Sequence, residues 1–397
     1  MENAEIASCP FASNRDERKS AALAARYTKA PEGSQLIQRF GFARQILRSP
    51  KAKQSGAGAE LVNVGNPEHV PVFYLDGEPH KQRRAAITKL FSPHAVTTRY
   101  RKVMESETQR LLTQLRAAGR ARLDEISFEL AIAVAADIVG LTESTPHAIA
   151  PHINGILRST VDTTPGLARI VNKAKTLYYG FLFYQKDVRP AVKARRKQRR
   201  DDIISQTLDK GYSEKAITIE CMTYATAGMV TTREFIVMVA WYLFEKPELR
   251  ARFLSSEEDG QLAILQEILR LEPVAALVYR RVSEDLEGTS QGTVRAGSTF
   301  AVDVRAVNTD ESVVGECPHM LDPDRAKKTN QNGKFMSFGD GPHHCPGWQV
   351  ALHETRVFVD ALLRVPGIRM EREPEMLWNE LIMGYELREA TVVCDRI

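Results

Sequence analysis

The sequence predicts a mainly α-helical protein with a small β region, and three observations lead there. Helical periodicity recurs along most of the 397 residues, and its longest run extends from Ser213 to about Glu245, stopped before Pro247. Clear polar/apolar alternation is confined to residues 287–305, around Gly292 and Gly297, and to the C-terminus. No Pro/Gly/Ser-rich linker, internal repeat or low-complexity tract interrupts the chain. Length alone allows two or three domains; the unbroken texture favours a single domain over 1–397, with 1–35 a loosely ordered N-terminal extension.

Composition narrows the function classes. With 43% hydrophobic and 26% charged residues the chain is an ordinary soluble globular protein. A net charge of +4 is small for this size and does not imply nucleic acid. The five cysteines, at 9, 221, 317, 345 and 394, are odd in number and irregularly spaced, which argues against a disulfide framework. The N-terminus runs from Met1-Glu2-Asn3-Ala4-Glu5 to Arg15, Asp16, Glu17, Arg18 and Lys19 without an apolar stretch. The expectation is no signal peptide, no membrane anchor and a cytoplasmic monomer.

Residues 1–60 are polar, with a short helical pattern from Phe40 to Leu47. Residues 60–76 mix turn formers with Val62, Val64, Val70, Val72, Phe73 and Tyr74, which predicts a loop with short extended pieces. The run Asp76-Gly77-Glu78-Pro79-His80-Lys81-Gln82-Arg83-Arg84 then opens a helix, since Pro79 is accepted in a first turn. His80 and Arg84 stand four apart on one face, where two donors suit a carboxylate. A solvated basic face is the plainer alternative. Helices of mixed amphipathicity cover 97–145 and 146–186, and the aromatic cluster Tyr178, Tyr179, Phe181, Phe183 and Tyr184 reads as core or cavity wall. The basic run Arg189–Arg200 ends at Asp201-Asp202 and reads as an exposed helix end and loop, or a docking face for an acidic partner.

The helix from Ser213 would be about 48 Å long at 1.5 Å per residue, enough to cross the whole domain. Its middle is small and apolar: Ala225, Thr226, Ala227, Gly228, Met229, Val230, Thr231, Thr232. A glycine inside a helix costs about 1 kcal/mol against alanine, which close approach of a flat ligand would offset. Thr231 can bond back to the carbonyl of Ala227 and open the helix there. A buried helix with a threonine pair is the alternative. Farther on, Glu267 and Arg270 can pair three apart on one helix face.

The stretch with most chemistry is Phe338-Gly339-Asp340-Gly341-Pro342-His343-His344-Cys345-Pro346-Gly347, followed by a helix with Val350, Val357, Phe358, Ala361 and Leu362 at helical spacings. Glycines let backbone approach a flat ligand, and the positive end of the next helix lowers a thiol's pKa. A thiolate in such a loop is a good axial ligand for haem iron. Half a zinc site is an alternative, with Cys317, His319 and His353 as further ligands, but no Cys-x-x-Cys pair exists. An inert buried cysteine is another; neither needs the glycines.

The spacing Phe338-x-x-Gly341-x-x-x-Cys345-x-Gly347 resembles the haem-binding signature of the cytochrome P-450 superfamily. Ala351 and Glu354 follow in register, while Leu352 departs from the family's usual Arg. The resemblance runs from about residue 40 to the end and implies a P-450 fold with haem between a long central helix and the cysteine loop and helix. It implies Cys345 as metal ligand of haem b, with Phe338, Gly339, His343 and Gly347 around it. His80 and Arg84 resemble the family's His-x-x-x-Arg, in register with Phe91 and Pro93, and would hold a haem propionate. Arg280 is a second propionate candidate, with Arg281 its rival. Glu267 and Arg270 resemble the structural Glu-x-x-Arg pair. Ala227, Gly228, Thr231 and Thr232 resemble the oxygen-binding pattern, except that Val230 stands where the family carries an acid that helps relay protons. Asp322-Pro323-Asp324-Arg325 looks like the loop leading to the cysteine.

These marks imply a monooxygenase of the soluble bacterial type, fed electrons by a separate ferredoxin and its reductase, since the chain has no room for a flavin domain. The segments 60–76, 150–185, 225–231, 274–279 and 381–387 would line the cavity; they are mostly apolar and imply a lipophilic small-molecule substrate. Arg158, Arg169 and Lys173 offer no assignable anchor. Pro346 has no N–H to give the neighbouring sulfur, which implies an electron-rich thiolate and a lower reduction potential than in a Pro346→Leu variant. Val230 opens the alternative of an atypical member that uses peroxide or catalyses coupling or rearrangement. A haem-binding sensor without turnover is the third reading.

Overall fold

A computed structural model describes residues 18–30, 32–56, 66, 69–161, 167–380 and 382–396, without side-chain detail at 158–161 and 167–169. The first half of the N-terminal extension, Val62 and Val64 of the 60–76 loop, the Arg158 and Arg169 side chains and Leu381 lie outside that set. The fold is mainly helical with small sheets, as the periodicity expects. By contacts the chain divides into two compact units, one of residues 1–53 and 255–344, the other of 54–254 and 345–397.

The first unit holds most of the four-stranded sheet. Ser34–Ile37 runs parallel to Thr299–Asp303, which pairs antiparallel with Leu277–Val282; Ala52–Gln54 completes the other edge. A hairpin of Leu286–Thr289 and Gly292–Val294 follows the third of these strands. Strand structure is therefore wider than the alternation at 287–305: Ser34–Ile37, Ala52–Gln54 and Arg120–Arg122 are too short to show a period, and Leu277–Val282, ten residues upstream, carries Tyr-Arg-Arg between its apolar residues and hides it. Phe40–Arg48 packs its Phe40, Phe42, Ala43, Ile46 and Leu47 into one core with Phe300 and Val302, and Phe42 meets Phe300 edge to face at 5.7 Å. Cys317 in this unit is disulfide-bonded, whereas Cys221, Cys345 and Cys394 of the other unit carry free thiols.

The second unit is built on the helix Glu214–Glu245, capped where Ser213 Oγ accepts the Ala216 N–H at 3.2 Å. It is long and apolar enough to cross a membrane, but 72% of its apolar window is buried inside the protein, which makes it a core helix. It packs against Leu123–Val139, itself buried on nearly every side, and against Trp348–Leu363. The expected helix over 97–145 is two helices. Arg101–Ala118 ends at Gly119, whose φ of +72° is the left-handed turn that glycine adopts at low cost. The 146–186 segment likewise splits into Pro146–Val161 and Leu167–Leu182, and the basic run continues as helix to Lys197. A three-stranded sheet (Arg120–Arg122, Thr391–Val393, Arg369–Arg372) and a hairpin (Glu375–Asn379 with Gly384–Arg388) close this unit.

Candidate functional site

In the first unit the loop before the cysteine is shaped by glycine and a carboxylate clasp. Gly341 has φ +70°, and a Cβ there would lie 2.3 Å from the Leu47 carbonyl oxygen, so no side chain fits. Arg44 and Arg48, one turn apart, both donate to Asp340 Oδ2 at 3.3 and 2.9 Å, while Asp340 Oδ1 accepts the Gly341 N–H at 2.7 Å. Burial pushes the Asp340 carboxyl up, but the Arg48 and Gly341 hydrogen bonds and the two arginine charges outweigh it and hold it below the usual range. Phe338, Gly339 and the short turn Gly341–His343 sit on this clasp. Sequence reasoning missed Arg44 and Arg48; their i, i+4 spacing was the available signal.

The Glu267–Arg270 pair lies in the same unit and is almost fully buried. Arg270 donates from Nε and Nη2 to the two carboxylate oxygens, both at 2.7 Å. A third member, Arg325, was not singled out from the sequence. It donates from Nε to Glu267 Oε1 at 3.2 Å and from its two Nη atoms to the carbonyls of Val314, Glu316, Cys317 and Met320. Arg270 reaches the carbonyls of Asn308, Pro318 and Met320. The pair thus becomes a triad stapling the loop that leads to the cysteine. Arg280 and Arg281 fall on opposite faces of Leu277–Val282: Arg280 is 2% exposed and Arg281 is exposed.

In the second unit Cys345 lies two residues before Gly347, the N-terminal cap of Trp348–Leu363. Pro346 cannot donate, and the Gly347 N–H is the backbone group bonded to the sulfur. Burial pushes the Cys345 thiol up, and the Gly347 hydrogen bond and the Arg84 charge pull it down without cancelling that rise. The expected acidic thiol is therefore not what the protein alone produces; a bound metal ion would invert the balance and displace the proton. His80 and Arg84 lie on Gly77–Ile87, with His80 buried and Arg84 partly so. Arg83 between them is buried over the Tyr212 ring at 4.6 Å, so this helix face is not a solvated basic one.

The central helix widens to a π turn over Ala225–Val230. Thr231 Oγ1 donates to the Ala227 carbonyl at 2.7 Å, one turn back. Thr232 turns the other way and lines a cavity of about 60 Å³ with Tyr224, Gly228, Gly347, Ala351 and Glu354. At Gly228 an added Cβ would come no nearer to other side chains than 4.0 Å from Ala135, so that glycine is not required by protein packing. Val230, in the position of the missing acid, is fully buried in the apolar core with Met229 and Ile132.

The cytochrome P-450 family model matches residues 262–375. The biotin biosynthesis cytochrome P-450 of Bacillus subtilis is 26% identical over 83% of this chain and 80% of its own length. The mycinamicin IV hydroxylase/epoxidase of Micromonospora griseorubida is 26% identical over 88% and 86%. The crystal structure of CYP109E1 from Bacillus megaterium, in complex with corticosterone, superposes with a TM-score of 0.75 at 19% identity, covering 94% of this chain and 98% of that one. The chain thus resembles cytochrome P-450s in sequence, by family model over residues 262–375, and has their fold. Relatives of 24–26% identity are named as a hydroxylase/epoxidase and an N-oxygenase, and the cytochrome P-450 family carries haem on a cysteine thiolate. The residues present fit that group: Cys345 offers one sulfur with the Gly347 N–H as donor, and Gly347 puts no side chain against it, an added Cβ lying 4.0 Å from the sulfur. Among the described residues no three His, Cys, Asp or Glu side chains gather as metal ligands.

Proposed function

We propose that this chain is a cytochrome P-450 monooxygenase that binds haem b through Cys345 and inserts one oxygen atom from O2 into a lipophilic small molecule of specialised or catabolic metabolism, with electrons from a separate ferredoxin and reductase. The Cys345 sulfur and its single donor, the Gly347 N–H, carry the proposal. Haem supplies the oxidising power when bound. The chain supplies the rest. Cys345 lends electron density, little of it withdrawn by hydrogen bonds because Pro346 offers none. His80 and Arg84 are the proposed donors to a haem carboxylate, and Arg280 is the arginine of its strand carried forward for the same role. The Thr231 hydroxyl, its proton held by the Ala227 carbonyl, keeps lone pairs free to accept from a water and orient it. The apolar residues around the π turn favour a lipophilic substrate, in keeping with a relative named as a methyl-branched lipid omega-hydroxylase.

One observation favours a second reading. Val230 is packed in apolar core at the position where the resembling pattern carries an acid, and a peroxide brings its own protons and electrons. The test of the first reading is the reduced protein under carbon monoxide, which should show the long-wavelength Soret band of a thiolate-bound haem, absent from Cys345→Ala. A colourless preparation after porphyrin feeding overturns it. Screening lipophilic compounds for a spin-state shift then finds the substrate, and turnover with ferredoxin against peroxide separates the two readings.

A further inference from the structure

We infer that the helix running from Leu167 to Lys197 docks on an anionic lipid bilayer through an outward-facing apolar stripe; the inference does not depend on the haem reading. The helix Leu167–Leu182 passes through a π turn at Phe183–Val188 into Arg189–Lys197 without a break, since Leu182 and Arg189 at the joints keep helical backbone angles. Ile170, Ala174, Leu177, Tyr178 and Phe181 recur along it at i, i+4, i+7, i+8 and i+11, so they share one face. That face is open: Ile170 is 66% exposed, Leu177 67%, Tyr178 59% and Phe181 58%. Among the described residues eight large hydrophobic side chains are exposed, and five of them, these four with Val171, fall within 170–181, which makes a patch and not scatter.

The sequence groups Tyr178 and Phe181 with core or cavity wall, but the helix is turned the other way. Its inner face carries polar residues: Asn172 is 9% exposed, and Thr176 Oγ1 donates to the Asn172 carbonyl at 3.0 Å. Tyr179 lies against Gly155 of Pro146–Val161, where an added Cβ would fall 2.3 Å from the ring, so the helix cannot roll the stripe inward without losing that contact. The connection before it, Asp162-Thr163-Thr164-Pro165-Gly166, contains no large apolar residue that could cover the stripe.

Charge selects the occupant. At about 100° per residue the apolar face spans about 120°, from Leu177 round to Val171, and Lys173 and Lys175 stand about 40° beyond either edge. Both lysines are exposed, as are Lys186, Arg189 and Lys193 farther along. Residues 167–182 contain no acid, and the one acid within 183–197, Asp187, is buried against His152. A second copy of this face would set lysine against lysine with no carboxylate to pair them. A protein partner would need an apolar groove about 16 Å long with acids on both rims. A fluid bilayer supplies both without matching a shape: apolar side chains enter the acyl boundary, and lysines beside them reach up to anionic headgroups.

The test is sedimentation of the full chain with vesicles of phosphatidylglycerol and phosphatidylcholine in equal parts, against phosphatidylcholine alone. The protein should sediment with the first and only weakly with the second, and about 0.5 M NaCl should release part of it. Leu177→Gln with Phe181→Gln should weaken binding about ten-fold or more. Lys173→Gln with Lys175→Gln should weaken it about thirty-fold on the anionic vesicles and leave the phosphatidylcholine background unchanged. All four side chains are exposed, so circular dichroism should show the parent fold; the lipid and salt arms with the parent need no variant. Sedimentation with neither vesicle overturns the inference and leaves the face to a protein. Equal binding by the parent and either double variant overturns it too, since the contact would then lie elsewhere. A parent dimer in analytical ultracentrifugation that Leu177→Gln with Phe181→Gln breaks, without vesicle binding, would assign the face to a second copy instead.

Discussion

Arg325→Ala tests how the loop before the cysteine is held. In the folded protein this side chain, 4% exposed, gives one hydrogen bond to Glu267 and four to carbonyls. Glu267 is not orphaned by its loss, because Arg270 still binds both oxygens at 2.7 Å and the Asp322 N–H donates at 2.9 Å. Met320 also keeps a donor, Arg270 Nη2 at 3.2 Å. Cys317 keeps the Met320 N–H at 3.0 Å, so what goes is the donor to the carbonyls of Val314 and Glu316 and one cation of a buried triad. Breaking a buried pair costs about 3–5 kcal/mol, and the retained Arg270 places this case at the lower end. At about 2 °C per kcal/mol for a long chain, the expected fall in melting temperature is roughly 6 °C. Urea unfolding followed by circular dichroism, with calorimetry, measures it; Arg325→Lys should recover part of the loss, since a lysine restores the charge without the fork. A cycle with Glu267→Gln should show coupling above about 0.5 kcal/mol. A loss below about 1 kcal/mol, or a strictly additive cycle, refutes the triad as a staple.

The other predictions concern the glycines, a buried acid and Val230. Gly341→Ala should destabilise by more than the roughly 1–2 kcal/mol that left-handed backbone costs a side chain, because its Cβ meets the Leu47 carbonyl; Gly33→Ala, with φ +77° and open space, should cost the backbone part alone, and equal losses in urea melts would sink the distinction. Burial raises the Glu354 carboxyl to about 8, against 4.5 for the unperturbed group. The folded state thus binds more protons than the unfolded one between those values, so stability falls as pH climbs from about 4.5 to 8. Glu354→Gln should flatten that part of the stability curve, and an unchanged slope counts against a buried neutral acid. Val230→Asp places a carboxylate in an apolar core and should cost about 3 kcal/mol or more in a melt at pH 7; a mild loss accompanied by better coupling with ferredoxin would show that the acid finds a partner and the peroxide reading is wrong.

The parts legible in the sequence were the local ones. A cysteine among glycines, Glu267 three before Arg270, and a long apolar helix are each contained in a short window. The Thr231 back-bond to Ala227 followed from one residue pair. Arg325, Asp340 with Arg44 and Arg48, and Tyr224 were not legible as partners, because each meets its neighbours across 58 to 296 residues or through a ring stack that no periodicity encodes. The break at Gly119 was hidden by equally helical residues on both sides. The acidity expected for Cys345 failed for a related reason: a helix terminus is visible in sequence, whereas the depth at which the sulfur sits is not.

The π turn at Ala225–Val230 stores one spare residue. A π turn carries one residue more than the α turn it replaces. Delete one of those six and the helix can close to regular winding with the faces on either side still in register, whereas the same deletion in the regular α turns of Thr231–Glu245 would rotate one part by about 100° against the other. Tyr224 and Thr232 would keep facing one cavity after the first deletion. The segment therefore tolerates a shortening that the regular helix beside it does not.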